Sequence, residues 1–159
     1  MTEPIAEVHE ALRSLAARYA AGVDRRQLDL FLSAFHPGAT LAVHRPRRAG
    51  PDDEPRLMRG HSEIGRVVEL IARYPATFHL LGQGRYEVRG DRAAGEVYCV
   101  ASHYVPSEQG DTNHVMYIRY EDEYRRDRGG PWMIERRDVR PDWTETRQVR
   151  EAPGAGERP

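Results

Sequence analysis

The hydrophobic period of this chain changes once, near residue 76, and that change limits the folds open to it. Before it, apolar residues recur at steps of three and four. Ile5, Val8, Leu12, Leu15, Ala16 and Tyr19 predict an amphipathic helix over 5–22. Leu28, Phe31, Leu32 and Phe35 predict a second over 27–36, stopped by Pro37-Gly38, and residues 39–44 read as a short strand. Ile64, Val67, Val68 and Ile71 mark a third helix over 60–73, stopped by Pro75. After residue 76 the period is two, and residues 77–89, 92–105, 114–126 and 132–142 read as strands. Gly90-Asp91, residues 106–112 and Arg128-Gly129-Gly130-Pro131 separate them with hairpin turn chemistry. Three helices followed by successive hairpins imply an α+β fold, one curved, mostly antiparallel sheet wrapping the helices on its concave face.

The 159 residues suffice for one packed core and are short for two. The expected organisation is one domain over 1–143 and a flexible tail over 144–159, where periodicity ends. Residues 45–59 are rich in Arg, Pro and Asp and read as a long loop, either a cover for a pocket entrance or a surface excursion.

Composition removes several function classes. All 24 basic residues are Arg, so Schiff bases, lysine general bases and a P-loop lysine are excluded. Cys99 is the only cysteine and reads as a buried, inert thiol between Tyr98 and Val100. The net charge of −1 provides no field for nucleic acid, and the Arg-rich pieces are interleaved with Asp and Glu. No apolar run approaches the roughly 20 residues of a membrane span, and no signal peptide is evident, so a cytoplasmic location is expected. None of the seven histidines stands in a metal-binding motif, and no GxGxxG or Walker sequence occurs. No metal and no cofactor is therefore expected.

What remains is acid–base chemistry. Asp24 closes the segment Tyr19-Ala20-Ala21-Gly22-Val23-Asp24, and His79 lies in Thr77-Phe78-His79-Leu80-Leu81-Gly82 at the head of a strand. Brought together in an apolar cavity, they form a carboxylate–imidazole pair that can remove a proton from a small organic molecule. Each has a plainer reading: Asp24 as the N-cap of the second helix, His79 as a core histidine. His103 shares a strand face with Val97, Cys99, Ala101 and Val105, which directs it toward the core or an interface. Tyr19 is either a core aromatic or a donor to a substrate oxygen. The opposite sheet face carries Tyr98, Val100 and Tyr104, with Tyr117 nearby, which suggests a homodimer or higher homo-oligomer.

Tyr-x4-Asp-Arg-Arg at 19–26, Thr-Phe-His-Leu-Leu-Gly at 77–82, Tyr-Glu-Asp-Glu-Tyr at 120–124 and Trp-x-Ile-x-x-Arg at 132–137 resemble the SnoaL-like branch of the NTF2-like superfamily. Within it the chain is similar to the scytalone dehydratase and hexachlorocyclohexane dehydrochlorinase families. The resemblance implies a cone-shaped α+β barrel, a cofactor-free pocket for a small apolar or polyketide-like substrate, and Asp24 pairing with His79 as the base. His103 matches the second histidine of the scytalone-type enzymes. Lyase (dehydratase-like), isomerase and cyclase chemistry all begin with such a proton abstraction. The superfamily also contains non-catalytic ligand-binding or accessory modules, such as dioxygenase small subunits. Val23 stands where scytalone dehydratase has a tyrosine, and Ala20 to Gly22 where the dehydrochlorinase has a basic residue.

Overall fold

A computed structural model describes residues 4–46 and 54–150. Helix α1 (Ile5–Asp24) buries Val8, Leu12, Leu15, Ala16, Tyr19 and Val23, the stripe its period predicts, while Ile5 is exposed. It runs two residues past the expected end because Gly22 does not break it. A Cβ at Gly22 would lie 2.5 Å from the backbone nitrogen of Phe31, so glycine is needed for the close approach of the next helix. That helix, α2 (Leu28–Leu32), is one turn long, with Phe31 fully buried.

Pro37-Gly38 does not stop a helix. It lies inside strand β1 (Phe35–Val43), at an irregularity in register between Phe35 and Thr40. A proline has no N–H for the ladder and is tolerated where pairing is interrupted. Strand β2 (Arg56–Arg59) occupies the end of the segment expected to be a loop and pairs antiparallel with Thr40 to Val43. Met58 is its one buried residue, too little for a periodic signal. Residues 47–53 of that segment lie outside the described residues. The expected third helix is two pieces, α3 (Gly60–Ile64) and α4 (Arg66–Ile71), divided at Gly65, where helix propensity is low.

Strands β3 (Thr77–Arg89), β4 (Arg92–Val105), β5 (Thr112–Arg125) and β6 (Met133–Gln148) form three consecutive hairpins. The sheet order is β2-β1-β6-β5-β4-β3, antiparallel except for the β1–β6 pair. Register shifts in β3–β4 and twice in β5–β6 bend it. The result is a cone that does not close, with β2 and β3 as its edges. Strand β6 reaches Gln148, opposite Thr112, so residues 144–148 belong to the sheet and not to a flexible tail; residues 151–159 lie outside the described residues. No helix among the described residues is long and apolar enough to cross a membrane.

The core joins α1 to the concave face through Val97, Cys99, Ala101, Ile118, Tyr120, Tyr124, Ile134 and Val139. Burial pushes the Cys99 thiol up to about 11, which leaves it an unreactive core group.

Candidate active site

The site forms where the C-terminus of α1 meets the first residues of β3. Strand periodicity alternates side chains, so Thr77 and His79 turn inward while Phe78 and Leu80 are 62% and 59% exposed. Asp24 does not cap α2, whose N-cap is Gln27 with no side-chain bond. Its carboxylate instead reaches across to β3. Oδ1 lies 2.7 Å from His79 Nδ1 and accepts from the Thr77 hydroxyl at 2.9 Å, and Oδ2 accepts the His79 backbone N–H at 2.8 Å.

Burial alone would raise the Asp24 carboxyl; hydrogen bonds from the His79 ring and amide and from Thr77 outweigh it and hold the group below the usual carboxylate range. An ionised Asp24 accepts a proton-bearing Nδ1, which leaves the lone pair on His79 Nε2. Among the described residues Nε2 has no hydrogen-bond partner. The His79 side chain is only 6% exposed.

His103 sits two residues along β4 from Ala101, the cross-strand partner of His79, so the two rings share the concave face. Their centroids are 6.0 Å apart, edge to face, and Tyr74 packs 4.8 Å from the His103 ring. His103 Nδ1 is 3.2 Å from the carbonyl oxygen of His114. Burial pushes its pKa down to about 4, so the ring is neutral at pH 7, donating from Nδ1 and able only to accept at Nε2.

Tyr19 lies behind His79, its ring edge-on at 6.4 Å, within an aromatic cluster of Phe31, Phe35 and Tyr120. It is a core aromatic and a neighbour of the site at once. Burial pushes its hydroxyl up to about 12, so it keeps its proton.

Two groups that the sequence offers only within family motifs, without a role of their own, also reach the site. Arg137 and Asp122, both fully buried, face each other across β5 and β6 in a bidentate pair of 2.8 and 2.6 Å. The guanidinium is stacked between Tyr19 and Tyr120, at 4.5 and 4.3 Å from their centroids, and its Nη1 has no partner among the described residues. Strand alternation puts Tyr120, Asp122 and Tyr124 on one face, a signal that was available. The second group is Arg26. It follows Arg25 at the C-cap of α1 with φ of 57°, and reaches the Thr77 hydroxyl and the Tyr74 carbonyl, both at 2.9 Å. No spacing rule joins Arg26 to partners about 50 residues away. Among the described residues, no three His, Cys, Asp or Glu side chains are placed to share a metal ion.

A profile described as a SnoaL-like domain matches residues 4–138. No curated protein matches the sequence. Among solved structures, a candidate scytalone dehydratase from Novosphingobium aromaticivorans is similar over 100% of both chains, at 19% identity and a TM-score of 0.74. The hexachlorocyclohexane dehydrochlorinase LinA-type3 from Novosphingobium barchaimii covers 93% of this chain and 96% of its own, at 19% identity and 0.75. The beta subunit of a candidate aromatic-ring-hydroxylating dioxygenase, also from Novosphingobium aromaticivorans, covers 88% and 93%, at 19% identity and 0.71. At such identities these likenesses establish the fold.

Proposed function

The chain belongs to the SnoaL-like family of the NTF2-like superfamily, and on that footing we propose that it is a cofactor-free enzyme acting by general-base proton abstraction. One observation carries the reading. Asp24 touches Nδ1 of His79 at 2.7 Å and, among the described residues, is joined by no guanidinium and leaves Nε2 open. In an elimination, Nε2 takes a proton from carbon and the C–H electron pair becomes the new double bond. The leaving group departs from the adjacent carbon with its own bonding pair. Asp24 stabilises the imidazolium so formed. Tyr19, protonated to about 12, is the candidate donor to the departing oxygen. His103, neutral and with Nδ1 engaged, accepts a hydrogen bond from a substrate hydroxyl and does not protonate a leaving group. Isomerisation or cyclisation would use the same first step. The substrate class that suits these groups is a small, largely apolar or polyketide-like molecule.

The likeness to a dioxygenase beta subunit supports a second reading, a ligand-binding module that performs no chemistry. A ligand screen by thermal shift, using small hydroxylated aromatic and polyketide-like compounds, separates the two when hits are followed by mass spectrometry. The enzyme reading expects a hit that wild type converts and His79→Ala binds unchanged. Hits that bind wild type and are never converted favour the module.

We also propose that the convex face seats a second copy of the chain. Tyr117 stacks on Trp143 at 4.3 Å, beside a groove of about 350 Å³ whose lining includes Leu80, Tyr98 and Val100. Tyr98, Leu80 and Trp143 are 40–59% exposed, more apolar surface than a free sheet face ordinarily shows. Light scattering should give twice the chain mass of 18.2 kDa, and Trp143→Asp should return it to the single value.

A further inference from the structure

We propose that Arg26 is a positioning residue for the Asp24–His79 pair, acting through the hydroxyl of Thr77. The proposal rests on the reading of His79 as the base. Its starting point is the end of α1. The N–H of Arg26 bonds the carbonyl of Val23 at 3.2 Å, and the N–H of Gln27 bonds that of Gly22 at 2.9 Å. This is the paired closure of a Schellman motif, and Arg26 holds its left-handed position, φ 57°. Glycine is the ordinary occupant there, because any Cβ is disfavoured in that region. An arginine at such a position has to be explained by its side chain.

That side chain makes a three-way clamp. Nη1 donates to the Val23 carbonyl and, at 2.9 Å, to Thr77 Oγ1; Nη2 donates to the Tyr74 carbonyl at 2.9 Å. The guanidinium thus ties the last turn of α1 to the segment entering β3, the two pieces that carry Asp24 and His79. It also fixes a direction. A guanidinium only donates, so Thr77 Oγ1 must accept from Arg26, and its single proton is left for Asp24 Oδ1 at 2.9 Å. Oδ1 then has one remaining direction for the ring N–H of His79, and Oδ2 is held by the His79 amide. The carboxylate cannot rotate without losing one of these bonds. Arg26 makes no bond to His79, so its effect reaches the base in three steps, through Thr77 and then Asp24.

The test uses the full chain with Arg26→Gly, Thr77→Val and the double variant. Arg26→Gly puts the preferred residue into the left-handed position but removes the three bonds, so a merely structural role predicts a change in melting temperature alone. The clamp predicts more. By carbon-detected NMR the Asp24 carboxyl should titrate higher in both single variants, since Thr77→Val removes the hydroxyl donor and Arg26→Gly leaves that hydroxyl free to turn away from the carboxylate. With a substrate in hand, kcat should fall on the order of ten- to hundredfold, with KM little changed. The double variant should be no worse than either single one. Wild-type titration and kcat in Arg26→Gly would overturn the proposal; so would effects that add in the double variant, because Arg26 would then act by another route. If Arg26→Gly fails to fold, Arg26→Asn repeats the measurement, since asparagine also tolerates this backbone region. The titration needs no substrate, so the two readings fail separately: full turnover in His79→Ala removes the base and leaves the Asp24 shift standing.

Discussion

The protein contains two histidine–aspartate pairs of nearly equal length. His79 Nδ1 lies 2.7 Å from Asp24, and His44 Nε2 lies 2.6 Å from Asp138. Both carboxyls are held below their ordinary range against the opposing effect of burial. What differs is everything else that touches them. Asp138 is gripped by Arg136 at 2.6 and 3.1 Å and approached by Arg140 at 3.5 Å, so its charge is already shared among guanidinium groups. The remaining nitrogen of His44 faces Arg140 Nη1 at 3.4 Å. Asp24 has only neutral donors besides the ring, and the far nitrogen of His79 is unpartnered among the described residues. A carboxylate neutralised by arginine has little left to stabilise an imidazolium; one held by a hydroxyl and an amide keeps that capacity. Contact distance alone would not have told a base from an arginine-neutralised ion pair.

The largest expected effect tests that difference directly. His79→Ala should lose about 10² to 10⁴ in kcat while melting normally, and His44→Ala should leave turnover unchanged. Equal losses, or none in either, would abolish the distinction between the pairs. The carboxylates give a smaller contrast. Asp24→Asn should cost about 10- to 100-fold in kcat, because it misorients the base without deleting it. Asp138→Asn should keep kcat and lower stability by about 1 kcal/mol, since Arg136 and His44 lose a shared charged acceptor. Urea unfolding measured beside steady-state kinetics assigns each variant to its side.

The same contrast marks how far the sequence can be read. The helix-to-hairpin switch, the inner stripe of α1 and all four long strands are periodic over many residues, and these survive in the structure. The failures are short or rest on pairing. Strand β2 has one buried side chain, and β1 takes up Phe35 because Ile134 donates its N–H to Ala34. Strand β6 continues to Gln148 because β5 offers partners as far as Thr112. At the site, Asp24 and His79 stand out by their local contexts, and His103 by its apolar strand face. The capping reading of Asp24 was locally sound. It lost to three donors on β3, and nothing within a few residues of Asp24 announces them. Arg26 and the Asp122–Arg137 pair are likewise products of tertiary contact.

The smallest effect concerns His103, the ring that shares the concave face with His79. His103 is buried and neutral, with its pKa lowered from 6.5 to about 4, chiefly by burial and further by the neighbouring His79 and His114. His44 has a guanidinium in the comparable place, a group that cannot change charge near neutral pH. A histidine with a depressed folded pKa binds fewer protons than the unfolded chain between the two values, so the stability it contributes is present above 6.5 and lost as pH falls toward 4. Wild type should therefore lose melting temperature on acidification across that window, before Asp24 and Asp138, whose lowered carboxyls act below about pH 4, begin to contribute. His103→Gln carries no titrating group but keeps a donor for the His114 carbonyl. It should melt somewhat lower than wild type at pH 7 and show a shallower decline from 6.5 to 4. If wild type and His103→Gln decline in parallel through that window, the ring is charged or solvated in the folded protein. In that case His103 would be a candidate proton donor, and its assignment as an acceptor beside the base would have to be withdrawn.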